Sequence, residues 1–128
     1  MLVYRVQTEA GRGPYAGRYM DGFDTSMDFQ GKFEHSAERQ PVEGWDGEET
    51  PEAHARSNGN LRYAFRSIAQ LKWWFGEFGA EGYGYLKRHD YLVAVYRVVA
   101  TFVWCHDAQV TYDYTEATHV RNEELPCE

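Results

Sequence analysis

The sequence predicts an α+β domain in which a mixed, mostly antiparallel β-sheet packs on one main amphipathic helix. Three observations carry this: apolar residues at helical spacing over 67–78, two copies of Val-Tyr-Arg-Val at 3–6 and 95–98, and a Gly- and Pro-punctuated acidic stretch over 21–59 with neither period. A chain of 128 residues is long enough for one core and too short for two ordinary ones, so residues 1–128 read as a single domain.

Leu2 to Gln7 alternates as a strand, with Leu2, Tyr4 and Val6 on one face and Val3, Arg5 and Gln7 on the other. Arg5 is the unusual member. On an inward face a guanidinium must be paired or serve a ligand, whereas on a solvated face it needs neither. Thr8 to Met20 holds Gly11, Gly13, Pro14 and Gly17 beside Arg12 and Arg18. This is either an ordinary loop or a phosphate cradle of backbone N–H groups, and it fits neither the P-loop nor the dinucleotide fingerprint.

Residues 21–59 form a long excursion punctuated by Gly22, Gly31, Pro41, Gly44, Gly47 and Pro51. Within it, residues 27–33 read as a short strand or a helical turn. Thr50 to Arg56 reads as a short helix with Thr50 as cap and Pro51 in the first turn.

A short strand over 61–65 leads through Ser67 into the helix, 67–78. Ile68, Leu71, Trp74, Phe75 and Phe78 recur along one side of it, and Gln70, Lys72 and Glu77 fall elsewhere. Ser67 is an N-cap whose hydroxyl accepts from a first-turn N–H, and Gln70 can reach back in a capping box. Gly79 and Gly82 supply the stop, and Gly79 to Arg88 reads as a turn-rich link. A long strand follows over 91–104, able to bend, and a last one over 109–114 puts Val110, Tyr112 and Tyr114 on one face. The two Val-Tyr-Arg-Val strings read as strands in similar sheet environments. Residues 116–128 are polar and read as a frayed tail.

Ten Tyr and four Trp need partners for their polar ends, which implies a wet aromatic surface beside the core. No run is long and apolar enough for a membrane span, and no basic-then-apolar leader opens the sequence, so a soluble cytoplasmic protein is expected. Cys105 and Cys127 read as reduced thiols. The net charge of −7 is uneven: residues 21–52 carry ten acids against Lys32 and Arg39, whereas 53–112 are net basic. That map argues against direct nucleic-acid binding, which needs cations for phosphates, and favours docking on a basic surface. The acids Asp24, Asp28, Glu43, Asp46, Glu48 and Glu49 would meet such a surface, with Phe29 and Trp45 as desolvated anchors.

Catalytic constellations are thin. Cys105-His106-Asp107 is consecutive, and neighbours on an extended chain point to opposite faces, so the three do not converge as a triad. His35 and His54 are isolated, and the five His and two Cys show no paired ligand spacing, so no metal is expected.

An Arg in the first strand (Arg5), an aromatic-x-Ser at a strand-to-helix junction (Phe65-Arg66-Ser67), a helix, a long strand, and a last strand opening with Gln109 resemble the layout of the small ADP-ribosyltransferase fold. In that family's Arg-Ser-Glu subgroup, the resemblance implies, Arg5 would hold the NAD phosphates and ribose, and Ser67 would orient the nicotinamide ribose. The family's catalytic Glu is here Gln109. An amide supplies only a dipole to an oxocarbenium-like transition state, so catalysis would be weak or absent unless Glu116 substituted. A second resemblance runs along most of the chain. The segments Tyr4-Arg5-Val6, Gly11-x-Gly13-Pro14-Tyr15, Phe65-x-Ser67-x-x-Gln70-Leu71-x-x-Trp74-Phe75 and Val95-Tyr96-Arg97-Val98 look like a group of small uncharacterised phage and prophage proteins.

That second resemblance implies a genomic setting and no reaction. Small acidic phage proteins made in the host cytosol are often inhibitors of host defence, anti-CRISPR proteins among them. The leading expectation is therefore a phage-type inhibitor of a host defence system that uses no cofactor and binds a basic, nucleic-acid-handling host protein. The alternatives are an NAD-dependent mono-ADP-ribosyltransferase acting on a host protein, and a non-enzymatic accessory or structural phage protein.

Overall fold

The computed structural model describes residues 1–11, 61–76, 78–105 and 109–126. Within these, six strands and two helices follow in the order β1 (Leu2–Gln7), β2 (Leu61–Ala64), α1 (Ile68–Gly76), α2 (Gly79–Arg88), β3 (Leu92–Val98), β4 (Val103–Cys105), β5 (Val110–Asp113) and β6 (Ala117–Glu123). The architecture is α+β and mostly strand. All strand pairs are antiparallel, and they form two three-stranded sheets, β1-β3-β6 and β2-β5-β4, where one sheet was expected. The acidic excursion, 21–59, lies outside the described residues.

The first sheet is the middle layer. Val6, Val93 and Val95 face the helices and pack with Phe65, Leu71, Trp74, Phe75 and Leu86. Val3 and Val98 face the second sheet and pack with Ala64, Val110 and Tyr112. Period-2 alternation thus gives β1 two buried faces, the arrangement in which one strand can carry two side-chain sets. The sheets are stitched together where Tyr4 and Phe65 exchange backbone hydrogen bonds of 2.7 and 2.8 Å.

The helix start is as expected, with one shift. Ser67 Oγ accepts from Gln70 N at 3.1 Å, while Gln70 Oε1 accepts from Arg66 N at 2.8 Å, so the reciprocal bond lands one residue before the cap. Gln70 is buried along with Leu71, Trp74 and Phe75, because its amide is used in that bond and not offered to solvent.

Five expectations need correction. The helix ends at Gly76, and Gly79–Arg88, read as a turn-rich link, is a second helix. Three glycines in ten residues conceal it, each costing about 1 kcal/mol of helix propensity against Ala. Burial of Tyr83, Tyr85 and Leu86 outweighs that cost. Gly82 is there because a Cβ would overlap Cβ of Phe78 in the turn before it. Lys87 and Arg88 complement the helix C-terminus, and Asp90, at φ 67°, turns the chain out of it.

The long strand over 91–104 is two strands in different sheets. Val98 ends the pairing of β3 with the chain start, Phe102 N closes a 3₁₀ turn on Val99 O at 2.8 Å, and β4 then joins the second sheet. The polar ending from 116 is no frayed tail through residue 123, since β6 pairs with β3 from Val98↔Ala117 to Val93↔Glu123 around a bulge. Tyr114 leaves the face shared by Val110 and Tyr112, for it lies in a 3₁₀ turn and is 41% exposed.

The fifth concerns the repeated string. The copies do not share an environment. Their strands pair with Val3 opposite Tyr96 and Tyr4 opposite Val95, so like residues point to opposite faces of one sheet.

Candidate functional site

The least ordinary chemistry in the described part lies between the two sheets. Strand alternation puts Arg5 on the face of β1 that looks at the second sheet, where only 8% of the residue remains exposed. Its Nε donates to Gln7 Oε1 at 3.0 Å, and its Nη1 donates to the Tyr63 carbonyl at 2.9 Å, which ties β1 to β2 across the gap. Gln7 Nε2 donates in turn to the Tyr96 hydroxyl at 2.9 Å. Tyr96 packs at 6.0 Å from the Tyr112 ring and edge-on to His119 at 5.4 Å, and His119 Nε2 meets Asn122 Oδ1 at 2.8 Å. Hydrogen bonds thus run from the buried cation through Gln7 to Tyr96, whose ring then packs edge-on against His119 of the exposed β6.

Burial sets the electrostatics. It lowers the pKa of Arg5 below the usual arginine value, opposed by nearby Tyr112 and reinforced by the like charge of Arg62. The Tyr112 phenol is pushed up to about 12, again chiefly by burial, with Arg5 pulling the other way. Tyr112 is therefore a neutral phenol at any physiological pH. Arg62 pairs in register with Tyr112 and so shares its inward face. Arg62 Nη1 donates to Gly11 O at 3.3 Å, and its guanidinium lies 4.2 Å over the Tyr114 ring.

The three residues singled out for NAD chemistry are placed as follows. Arg5 is buried between the sheets, Ser67 uses its hydroxyl to cap α1, and Gln109 is 4% exposed just before β5, with its Oε1 lacking a hydrogen-bond partner among the described residues. No described hydrogen bond joins any two of them. The acids and anchors Asp24, Asp28, Phe29, Glu43, Trp45, Asp46, Glu48 and Glu49 lie outside the described residues, as do His106 and Asp107, while Cys105 is an exposed free thiol.

Sequence reasoning missed the roles of Gln7, Tyr96 and Tyr112. Alternation placed Gln7 beside Arg5, but only the strand register brings in the tyrosines. It also missed a cleft of about 770 Å³ between the end of β1 and the end of α2, lined by Glu9, Lys87, His89, Asp90, Tyr91 and Glu124 among others. Among the described residues, no three His, Cys, Asp or Glu are grouped to hold a metal, and no helix is long and apolar enough to cross a membrane.

Neither the curated proteins nor the solved structures gave a match to this chain. A family profile, described as Bacteriophage T4 Y00F protein, matches residues 1–126. With nearly its whole length covered, the chain belongs to the Bacteriophage T4 Y00F protein family and is a phage protein.

Proposed function

We propose that this phage protein is an inhibitor of a host defence system, of the anti-CRISPR kind. In this reading it acts in the host cytoplasm by binding a basic, nucleic-acid-handling protein through the acids of its 21–59 segment. The observation that carries the reading is a segregation of charge. The described framework is nearly balanced, with seven acids against eight Lys and Arg, whereas 21–52 holds ten acids against two bases. A concentrated negative segment beside a near-neutral framework steers association toward a cationic patch and can occupy a surface made for phosphates. Asp24, Asp28, Glu43, Asp46, Glu48 and Glu49 supply the charge, and Phe29 and Trp45 supply the anchors.

Affinity capture from host lysate with mass spectrometry tests this. A basic nucleic-acid-binding protein held by the wild type and lost when four of the acids become Lys supports it; retention by the reversed variant refutes it. The same preparation separates the other readings. NAD-dependent mono-ADP-ribosylation through Arg5 and Ser67 requires saturable NAD binding and a mass increment on a target, both lost in Arg5→Ala. Arg5 and Ser67 share no described hydrogen bond. A structural accessory role predicts no host partner.

A further inference from the structure

Arg5 of β1 and Arg62 of β2 stand on the faces that the two sheets turn toward each other, Arg5 buried and Arg62 at the rim, against Gly11 O and over the Tyr114 ring. Each has only part of its donor set in use: Arg5 through Nε and Nη1, Arg62 through one 3.3 Å bond to Gly11 O and its contact with the Tyr114 face. Among the described residues, no carboxylate lies within ion-pair distance of either; the pair present is Arg121 with Glu123 on β6. A buried cation with a like charge for a neighbour and no counter-ion is an expensive arrangement, and it is normally relieved by an anion or by hydrogen bonds to every donor.

We propose that Arg5 and Arg62 form a binding site for a small oxyanion of the phosphate class, with Arg5 as the buried floor and Arg62 as the half-buried, solvent-facing side. The chemistry fits in three respects. Two monocations balance a phosphate dianion. The planar fork of a guanidinium presents paired N–H groups to paired oxygens. The side chains bonded to or ringed about Arg5, Gln7, Tyr96 and Tyr112, bring no carboxylate, and the buried Asp113 that follows on β5 is engaged by Thr115 N and Oγ1 at 2.9 and 2.6 Å. Arg5 is already fixed by two hydrogen bonds, and little side-chain freedom is lost when it binds.

The test uses the full chain and inorganic phosphate at constant ionic strength, with sodium chloride as the matched control, read by thermal shift and calorimetry. The wild type should show a saturable rise in Tm with phosphate and none with chloride. Arg62→Gln should keep the fold by circular dichroism and weaken phosphate binding at least tenfold, and Arg62→Lys should recover part of it. Should Arg62→Gln fail to fold, the arginine Nε–H resonances of the wild type decide: two of them, assigned to Arg5 and Arg62, should move together as phosphate is added. Equal response to phosphate and chloride, identical titrations of wild type and Arg62→Gln, or unmoved Nε–H resonances would each overturn the assignment.

Discussion

The two copies of Val-Tyr-Arg-Val, on neighbouring strands of one sheet, meet opposite fates. In the first, Arg5 is buried between the sheets and Tyr4 faces the helices; in the second, Tyr96 takes the inter-sheet position and Arg97 is exposed. The strings are identical, so propensity and local pattern cannot separate them. Register does: with Val3 opposite Tyr96, an antiparallel partner places like residues one step out of phase, and one step flips every side chain. A buried arginine was thus made by strand pairing and not by its immediate neighbours.

Each consequence of that contrast can be broken experimentally. The largest concerns the phenol beside Arg5. Because burial raises the Tyr112 pKa from 10.0 to about 12, the folded state holds the phenolic proton more tightly than the unfolded chain does. Its contribution is complete below about pH 10 and is lost as pH rises toward 12, by up to roughly 3 kcal/mol. Urea unfolding across that range should show the loss in the wild type and a flatter profile in Tyr112→Phe. A wild-type profile level to pH 12 would place Tyr112 in contact with water.

Next come the valines. Val3 and Val95 are fully buried on opposite faces, so Val3→Ala and Val95→Ala should each cost roughly 2–3 kcal/mol by loss of two buried methyls and the cavity left behind. Unequal costs would mean that one of the two cores is loosely packed. Arg5→Met keeps most of the stem but leaves Gln7 and the Tyr63 carbonyl without their donor, at a cost of about 1–3 kcal/mol. A stabilised variant would show that relief of the desolvated charge outweighs those bonds. The smallest effect belongs to the matching position in the second copy: Arg97→Met should stay within about 0.5 kcal/mol, as exposed positions usually do.

The same contrast explains what the sequence could and could not disclose. The faces of β1, the strand at 61–65, the alternation of Val110 and Tyr112, and Ser67 as an N-cap were legible because each depends on two to four neighbouring residues. Helix α2 was hidden because its glycines speak locally against a helix that burial of Tyr83, Tyr85 and Leu86 enforces. The break at Val99 was hidden inside an unbroken run of strand-forming residues, and with it the division into two sheets. Strand β6 was hidden because its side chains are largely exposed and its stability comes from backbone pairing with β3. At the polar cluster, Arg5 was visible from alternation, whereas Tyr96, Tyr112 and Arg62 reach it only through pairing partners distant in sequence.

The charge on the framework and the charge on the 21–52 segment are the second pair of unlike regions, and the proposed function rests on them. The most direct measurement is the association rate with the captured host partner as ionic strength rises, for the wild type and for a variant with Asp24, Asp28, Glu43 and Asp46 changed to Lys. The wild type should associate quickly at low salt with a steep decline, and the variant should be at least tenfold slower at low salt, with its salt dependence flattened. Equal rates with the same salt dependence would contradict a docking role for the acidic segment.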